Sequence, residues 1–360
     1  MSRLSRSLLG AAYVAVSGVA GLLGFTTTAH AAGPVIAFLM PCSTCADRFE
    51  GQDKPAFIAA VKALDPTATV IANNAQGSAD TQVSQAEAAL TNGATVLVVS
   101  PLTEAAGAAI LAKARAQHAA LVSYDGLLTG AQSDFFVSFQ NPRVGVLQGQ
   151  FLIDHLPKGA TIAVINGSQD IAPGREFKAG AHEAIDPAVK AGKLKIGFEA
   201  DTPMFDPAKA QAEMEQGLTT LNDKVDGVLV ANDGMAGAVV AALSARHLNG
   251  KVLVTGQDAT DAGLQRILTG DQTMSVYKAI KAEATAAAKV ALLLAHNKTD
   301  DAKKLATGSV DSGAGQVPSI LLEPKIVTKD NIKQTVIADG YTTLDRICVN
   351  AAAASPVCKR

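Results

Sequence analysis

The sequence predicts an α/β protein of two Rossmann-like parallel-sheet lobes joined by a hinge. Three observations carry that prediction. Short β-branched runs alternate with Ala-rich helical segments along nearly the whole chain. The alternation completes one round and starts over near residue 135. The length of 360 residues suits two domains.

The first round has four strand–helix units. Strands are predicted at 35–40, 68–72, 94–100 and 119–124, the last ending on Asp125. Helices are predicted at 54–64, 80–90 and 103–117. The strand runs are apolar without alternation, as expected for a parallel sheet covered on both faces. The second round has strands at 135–139, 161–165, 194–198, 228–230, 252–255 and 273–276. Its helices fall near 144–156, 177–185 and 208–221, with an Ala-rich segment after 233. A further Ala-rich helix spans 281–295, and a late strand spans 319–327 before a polar tail. The expected first lobe is 33–140, completed by about 277–305. The second is 141–276, completed by about 306–345, with a disulfide-bearing tail at 346–360. Crossings between lobes are expected near 139–142, 258–261 and 276–279 or just after the helix at 281–295.

Residues 1–31 read as an export signal. Arg3 and Arg6 precede an apolar run from Leu8 to Phe25, and Ala29-His30-Ala31 is a small-residue cleavage site. A membrane anchor is the alternative, but five glycine and serine residues interrupt the run. The mature chain is then expected in an oxidising compartment such as the periplasm. There Cys42, Cys45, Cys348 and Cys358 would form two disulfides; three pairings are open, of which the local one closes the shortest loops. The Cys42–Cys45 spacing also admits a thiol redox reading.

A net charge of −2 leaves no electrostatic footprint for nucleic acid, and 4% aromatics with no Trp leave no stacking platform. There is no P-loop, dinucleotide G-x-G-x-x-G, H-E-x-x-H or G-x-S-x-G motif. No enzyme activity, cofactor or metal is therefore expected. Ligands of open α/β sheets sit beyond the carboxyl ends of strands. Asn232, Asp258 and Lys278 each follow such a strand and should converge. An amide, a carboxylate and an ammonium together suit hydroxyl groups, which both donate and accept.

Several segments resemble a known family. They are the run at 73–85 (Asn-Asn-Ala-Gln-Gly-Ser-Ala-Asp-Thr-Gln-Val-Ser-Gln), Tyr124-Asp125, Ala231-Asn232-Asp233, Gly256-Gln257-Asp258-Ala259 and Thr273-Met274-Ser275-Val276-Tyr277-Lys278. In order and spacing they resemble the periplasmic D-xylose-binding proteins, the pentose branch of the type I periplasmic sugar-binding proteins of ABC transporters. The resemblance implies a hinged clamp that closes on a monosaccharide and delivers it to a permease. It implies ligand contacts by Arg48, Asp125, Asn232, Asp258 and Lys278. Phe49 falls where the family has tryptophan, and Phe205 lies near a family tryptophan that packs on the sugar. In such a site Asp125 and Asp258 accept from hydroxyls, Arg48 and Lys278 donate, and the two phenylalanines cover C–H faces.

Bland readings stand beside these. Asp125 and Asp258 could cap following helices, as Asp233 is expected to do. Arg48 could be a solvated charge, and the phenylalanines could be core. The chain also departs from the family. Gly126 replaces an arginine, which should open the pocket or admit water. The 169–178 stretch lacks the family's Asp, Asn and Arg, with Lys178 as a point-charge substitute for the arginine. The expected state is a monomer. Rival readings are a periplasmic receptor docking on a chemoreceptor or sensor kinase, and a CxxC thiol oxidoreductase.

Overall fold

The computed structural model describes residues 33–46 and 48–359, so the export signal expected over 1–31 lies outside the described residues. The chain runs β1 Val35–Met40, α1 Lys54–Leu64, β2 Thr69–Asn74, α2 Ala79–Thr91, β3 Val96–Val99, α3 Glu104–Ala116, β4 Ala120–Tyr124 and β5 Phe135–Phe139. It then crosses to α4 Asn141–His155, β6 Ala160–Asn166, α5 Ala172–Lys190, β7 Leu194–Asp201, α6 Pro207–Leu221, β8 Gly227–Val230, α7 Asp233–Ala245, β9 Leu253–Val254, α8 Asp261–Thr269 and β10 Met274–Tyr277. It closes with α9 Ile280–Ala295, α10 Thr299–Lys304, β11 Gly308–Asp311, β12 Gln316–Leu322, β13 Lys325–Thr328 and α11 Leu344–Ile347.

The first lobe's sheet has the order β11-β12-β5-β4-β3-β1-β2, parallel except for the β11–β12 hairpin. Phe38, Phe57 and Val61 pack with Ala284, Ala288 and Ala291 of α9 on one face. On the other, Leu39, Leu97 and Val99 pack with Ala86, Ala89, Ile110 and Ala114. The alternating sides of one strand thus feed two helical layers, as the unbroken apolar runs require.

The second lobe's sheet is β7-β6-β8-β9, parallel throughout. β10 continues it loosely: Val276 N donates to Gly256 O at 2.9 Å, and β10 pairs antiparallel with β13. The two lobes are therefore unequal, whereas the element rhythm suggested equal ones. Within the second lobe, α4 and α5 touch backbone to backbone. A Cβ at Gly145 would stand 1.9 Å from Phe177 O, and one at Gly180 would stand 1.9 Å from Pro142 O. That close approach fixes where the start of α5 lies.

The late strand expected at 319–327 is two strands in two lobes. Glu323-Pro324 breaks it, because proline cannot donate to a ladder and restricts the residue before it. β11 and β12 consequently join the first lobe, while the sequence reading assigns 306–345 to the second; only β13 goes there. The chain crosses between lobes at 139–141, 277–280 and 322–325. The crossing expected at 258–261 is absent, since that segment joins β9 to α8 within one lobe. α5 begins five residues before the expected 177. Pro173 stands in its first turn, where proline is at home.

Cys348 is bonded to Cys358, and the tail they close packs through Ile347, Ala352 and Val357 beside Leu264 and Leu268 of α8. Among the described residues no helix is long and apolar enough to cross a membrane.

Candidate functional site

Three of the site's side chains stand where strands stop. Asp125 follows β4 at φ 60°, Asp258 follows the β9 strand end at φ 94°, and Lys278 follows β10. Positive φ in a residue other than glycine is uncommon and persists where surrounding contacts impose it. Here Asp125 N donates to Val137 O at 3.0 Å and Asp258 N donates to Val276 O at 2.9 Å, pinning both backbones to neighbouring strands. Neither aspartate caps a helix: β4 is followed by a loop, and Thr260 caps α8 through a 3.0 Å bond from Gly263 N.

Arg48 joins them from the loop after β1. Its Nη1 lies 3.0 Å from Asp125 Oδ1 and 3.8 Å from Asp258 Oδ1. Lys278 Nζ donates to the same Asp125 oxygen at 2.6 Å. The ammonium also sits 5.4 Å from the Phe139 ring and 5.7 Å from the Phe177 ring, within cation–π range. Asn232 does two jobs. Its Oδ1 accepts from Met235 N at 3.0 Å, capping α7, and its Nδ2 donates across the cleft to Cys45 O at 3.0 Å. The cap is therefore Asn232, whereas the sequence reading gives that role to Asp233. Asp233 is buried and accepts from Thr260 N, Gln272 and Ser275, tying β10 to the start of α8.

These groups line one cavity between the lobes, with about 650 Å³ of empty space counted to its mouth. Phe49 and Phe205 line it too, both largely buried. The Arg48 guanidinium lies 5.2 Å from the Phe49 ring centroid. Phe205 rests on Gly167, where a Cβ would meet ring atoms at 2.0 Å. The backbone at Met204 and Phe205 is left-handed, a second strained spot on the cavity wall.

Lys178 is not in the cavity. Its ammonium faces outward to Asp201 at 2.9 Å and Glu199 at 3.4 Å, because the helical turn that brings Phe177 inward sends the next residue out. Gly126 lines the cavity. A Cβ there would make ordinary contacts with Pro101 at 3.4 Å and Pro173 at 3.5 Å, so the two prolines flank it. Cys42 and Cys45 are bonded to each other, and Cys45 lines the cavity.

Sequence reasoning missed the residues behind the site. Asp53 grips Arg48 at 3.0 and 2.6 Å, and Glu283 of α9 accepts from its Nη2 at 2.8 Å. Tyr124 Oη donates to Asp53 as well. One signal was available: Glu283 sits on the same helical stripe as Ala287, Val290 and Leu294, where an apolar residue belongs. Gln257 also lines the cavity and donates to Asp258 Oδ1.

Four buried acids thus face two bases. Burial acts to raise Asp125, but Lys278 and Arg48 outweigh it and hold its carboxyl well below the usual range. Burial lifts Asp258 to about 7 and Glu283 to about 8, against the pull of Arg48 on each. Burial opposes the charged Arg48, yet Asp53, Asp125 and Glu283 more than offset it and raise its pKa further. The buried acids and the two bases compensate one another, an arrangement that suits an uncharged guest.

A sequence model of the periplasmic binding protein domain matches residues 36–299. The D-xylose-binding periplasmic protein of Escherichia coli K12 is 37% identical over 294 residues, covering 82% of this chain and 88% of that protein. The protein of the same name from Haemophilus influenzae is 35% identical, covering 83% and 89%. A carbohydrate transporter solute-binding protein from Chloroflexus aurantiacus, solved with D-glucose, superposes with a TM-score of 0.78 at 27% identity, covering 86% of this chain and 97% of that one. Matched over most of its length by that sequence model and by these relatives, this chain belongs to the periplasmic binding proteins, in the type I sugar-binding branch, whose members are receptors rather than enzymes.

Proposed function

We propose that this chain captures a neutral monosaccharide, a xylose-like pentose or a related sugar, between its lobes and delivers it to the permease of an ABC transporter. The observation that carries the reading is the convergence of Arg48, Asp125, Asn232, Asp258 and Lys278, distant in sequence, on one cavity between the lobes. Asp125 and Asp258 offer acceptors, Arg48 and Lys278 offer charge-assisted donors, and Phe49 and Phe205 offer apolar faces. Closure follows from contacts that exist only when both lobes touch the guest. The N-terminal segment directs export and is removed, and the mature receptor works as a monomer.

The test is a thermal-shift panel of pentoses, hexoses and polyols on purified protein. A sugar at a hundred times its dissociation constant should stabilise by about 2.7 kcal/mol. Asp258→Ala should abolish the shift while retaining a cooperative melt. A normal shift in that variant would refute the site.

A further inference from the structure

Asp258 and Ala259 both hold left-handed backbone, at φ 94° and 49°, in the segment that carries a carboxylate to the cleft. Two such residues in a row, neither a glycine, persist only where their surroundings impose the shape. Three of the bonds that impose it come from β10 and the start of α7. Asp258 N donates to Val276 O at 2.9 Å, Ala259 N to Ser275 Oγ at 2.9 Å, and Thr260 N to Asp233 Oδ2 at 2.8 Å. The fourth comes from the chain after β13. Tyr341 donates its Oη to the Asp258 carbonyl at 2.8 Å. Among the described residues no backbone N–H reaches that carbonyl, and Asp258 is buried.

Tyr341 is itself held in place. Its buried ring lies 5.0 Å from that of Tyr277, the residue before Lys278, and its N donates to Val336 O at 2.9 Å. The next residue, Thr342, donates through Oγ1 to Asp261 Oδ1 at 2.5 Å, and Arg346 meets the other oxygen of Asp261 at 2.6 Å. The disulfide and its packing on α8 follow directly. The chain after β13 is thus a fixed brace that ends on one carbonyl of the site. We propose that Tyr341, which does not line the cavity, is a positioning residue for sugar binding: its hydroxyl locks the Asp258–Ala259 peptide in the form that aims the Asp258 carboxylate into the cleft. Without that hydroxyl a buried carbonyl has no partner, so the segment gains by turning the carbonyl toward another donor, and the carboxylate turns with it. Apparent affinity then falls with the fraction of molecules that hold the competent form. The inference rests on the reading of this cleft as a monosaccharide site and adds a residue that acts on it from behind.

Tyr341→Phe removes the hydroxyl and keeps the ring on Tyr277. Thr342→Val is the control, since it removes another hydrogen bond between the same tail and the same lobe without touching Asp258. Each is compared with the parent by isothermal titration, using the member of a panel of pentoses and hexoses that the parent binds most tightly, and by amide hydrogen exchange of the unliganded proteins. Tyr341→Phe should weaken binding about 3- to 10-fold and speed exchange at the Asp258 and Ala259 amides by about the same factor. Thr342→Val should leave both within about 2-fold of the parent. A Tyr341→Phe protein that melts lower but binds with parental affinity would make the hydroxyl a stability contact only and overturn the inference. So would an equal loss of affinity in both variants, or weaker binding without faster exchange at residues 258 and 259. Each of those results leaves the receptor reading standing, because the parent binds. If the parent binds no sugar of the panel, the receptor reading falls and the inference falls with it.

Discussion

Arg48 shows how a single side chain couples the hidden part of the site to the exposed part. One edge of its guanidinium is fixed by Asp53 and Glu283, and Nη1 is left for Asp125 and Asp258. The planar fork is what allows both, and a lysine could not reproduce it. Arg48→Met strands buried carboxylates and should destabilise the fold by about 3–5 kcal/mol in urea unfolding. A loss under about 1 kcal/mol would mean that the surrounding acids simply take up protons. The pH dependence follows from those acids. Asp258 at about 7 and Glu283 at about 8 hold protons that an unfolded chain releases near pH 4. Their contribution to stability is therefore complete below about pH 4 and is lost as pH rises through 7 to 8. Asp125, held low, works in the opposite sense and loses its contribution only in strong acid. Melting temperature of the unliganded protein should fall by several degrees between about pH 6 and about pH 9. Glu283→Gln should flatten that fall and leave the protein more stable than the parent at the alkaline end. An unchanged slope would place its origin elsewhere.

At the scale of elements, legibility depended on whether a local pattern was enough. β1, β3 and β4 are buried runs between clear breakers, and the structure has them within two residues of the sequence reading. The strand-end rule leads one to expect Asn232, Asp258 and Lys278 to converge, and all three line the same cavity. The start of α5 and the β12–β13 break were not legible. Both turn on proline, whose effect depends on a position that one-dimensional spacing does not supply: Pro173 opens a helix, while Pro324 ends a strand. Ile171 and Pro173, which line the cavity, were hidden for the same reason, since they stand at the start of an α5 that begins before the expected residue 177. Gly145→Ala should test that packing. Its Cβ would stand 1.9 Å from Phe177 O, so α5 must shift, at a cost of about 1–3 kcal/mol in stability and with weaker sugar binding. Native affinity with native stability would show that the two helices tolerate separation. The loop closed by Cys42 and Cys45 is a second positioned element. Its carbonyl at Cys45 receives Asn232 from the opposite lobe. Replacing both cysteines by serine should weaken sugar binding by up to about 10-fold, the worth of one hydrogen bond. An unchanged affinity would leave the disulfide without a role in the cleft.

Across the whole molecule, the site exists only when the lobes meet, and the closed arrangement has contacts of its own at the cleft's edge. Arg175 of α5 pairs with Glu104 in the first turn of α3, and Thr129 donates to the same Glu104 oxygen. Both partners are more than a third exposed, so the pair is screened by solvent and contributes at most about 1 kcal/mol. In a two-state clamp even that matters, because apparent affinity scales with the fraction of molecules able to close productively. Neither Glu104 nor Arg175 lines the cavity, so losing the pair changes the closing equilibrium without touching the guest. Glu104→Gln should therefore weaken binding by up to about 5-fold for every sugar alike, leaving the order of preference among them intact. The dissociation rate should rise, and added salt should weaken the parent more than the variant, since only the parent has this ion pair to screen. A change in the order of sugars would mean that residue 104 acts on specificity, and equal affinities at low salt would mean that the pair forms equally well in the open state.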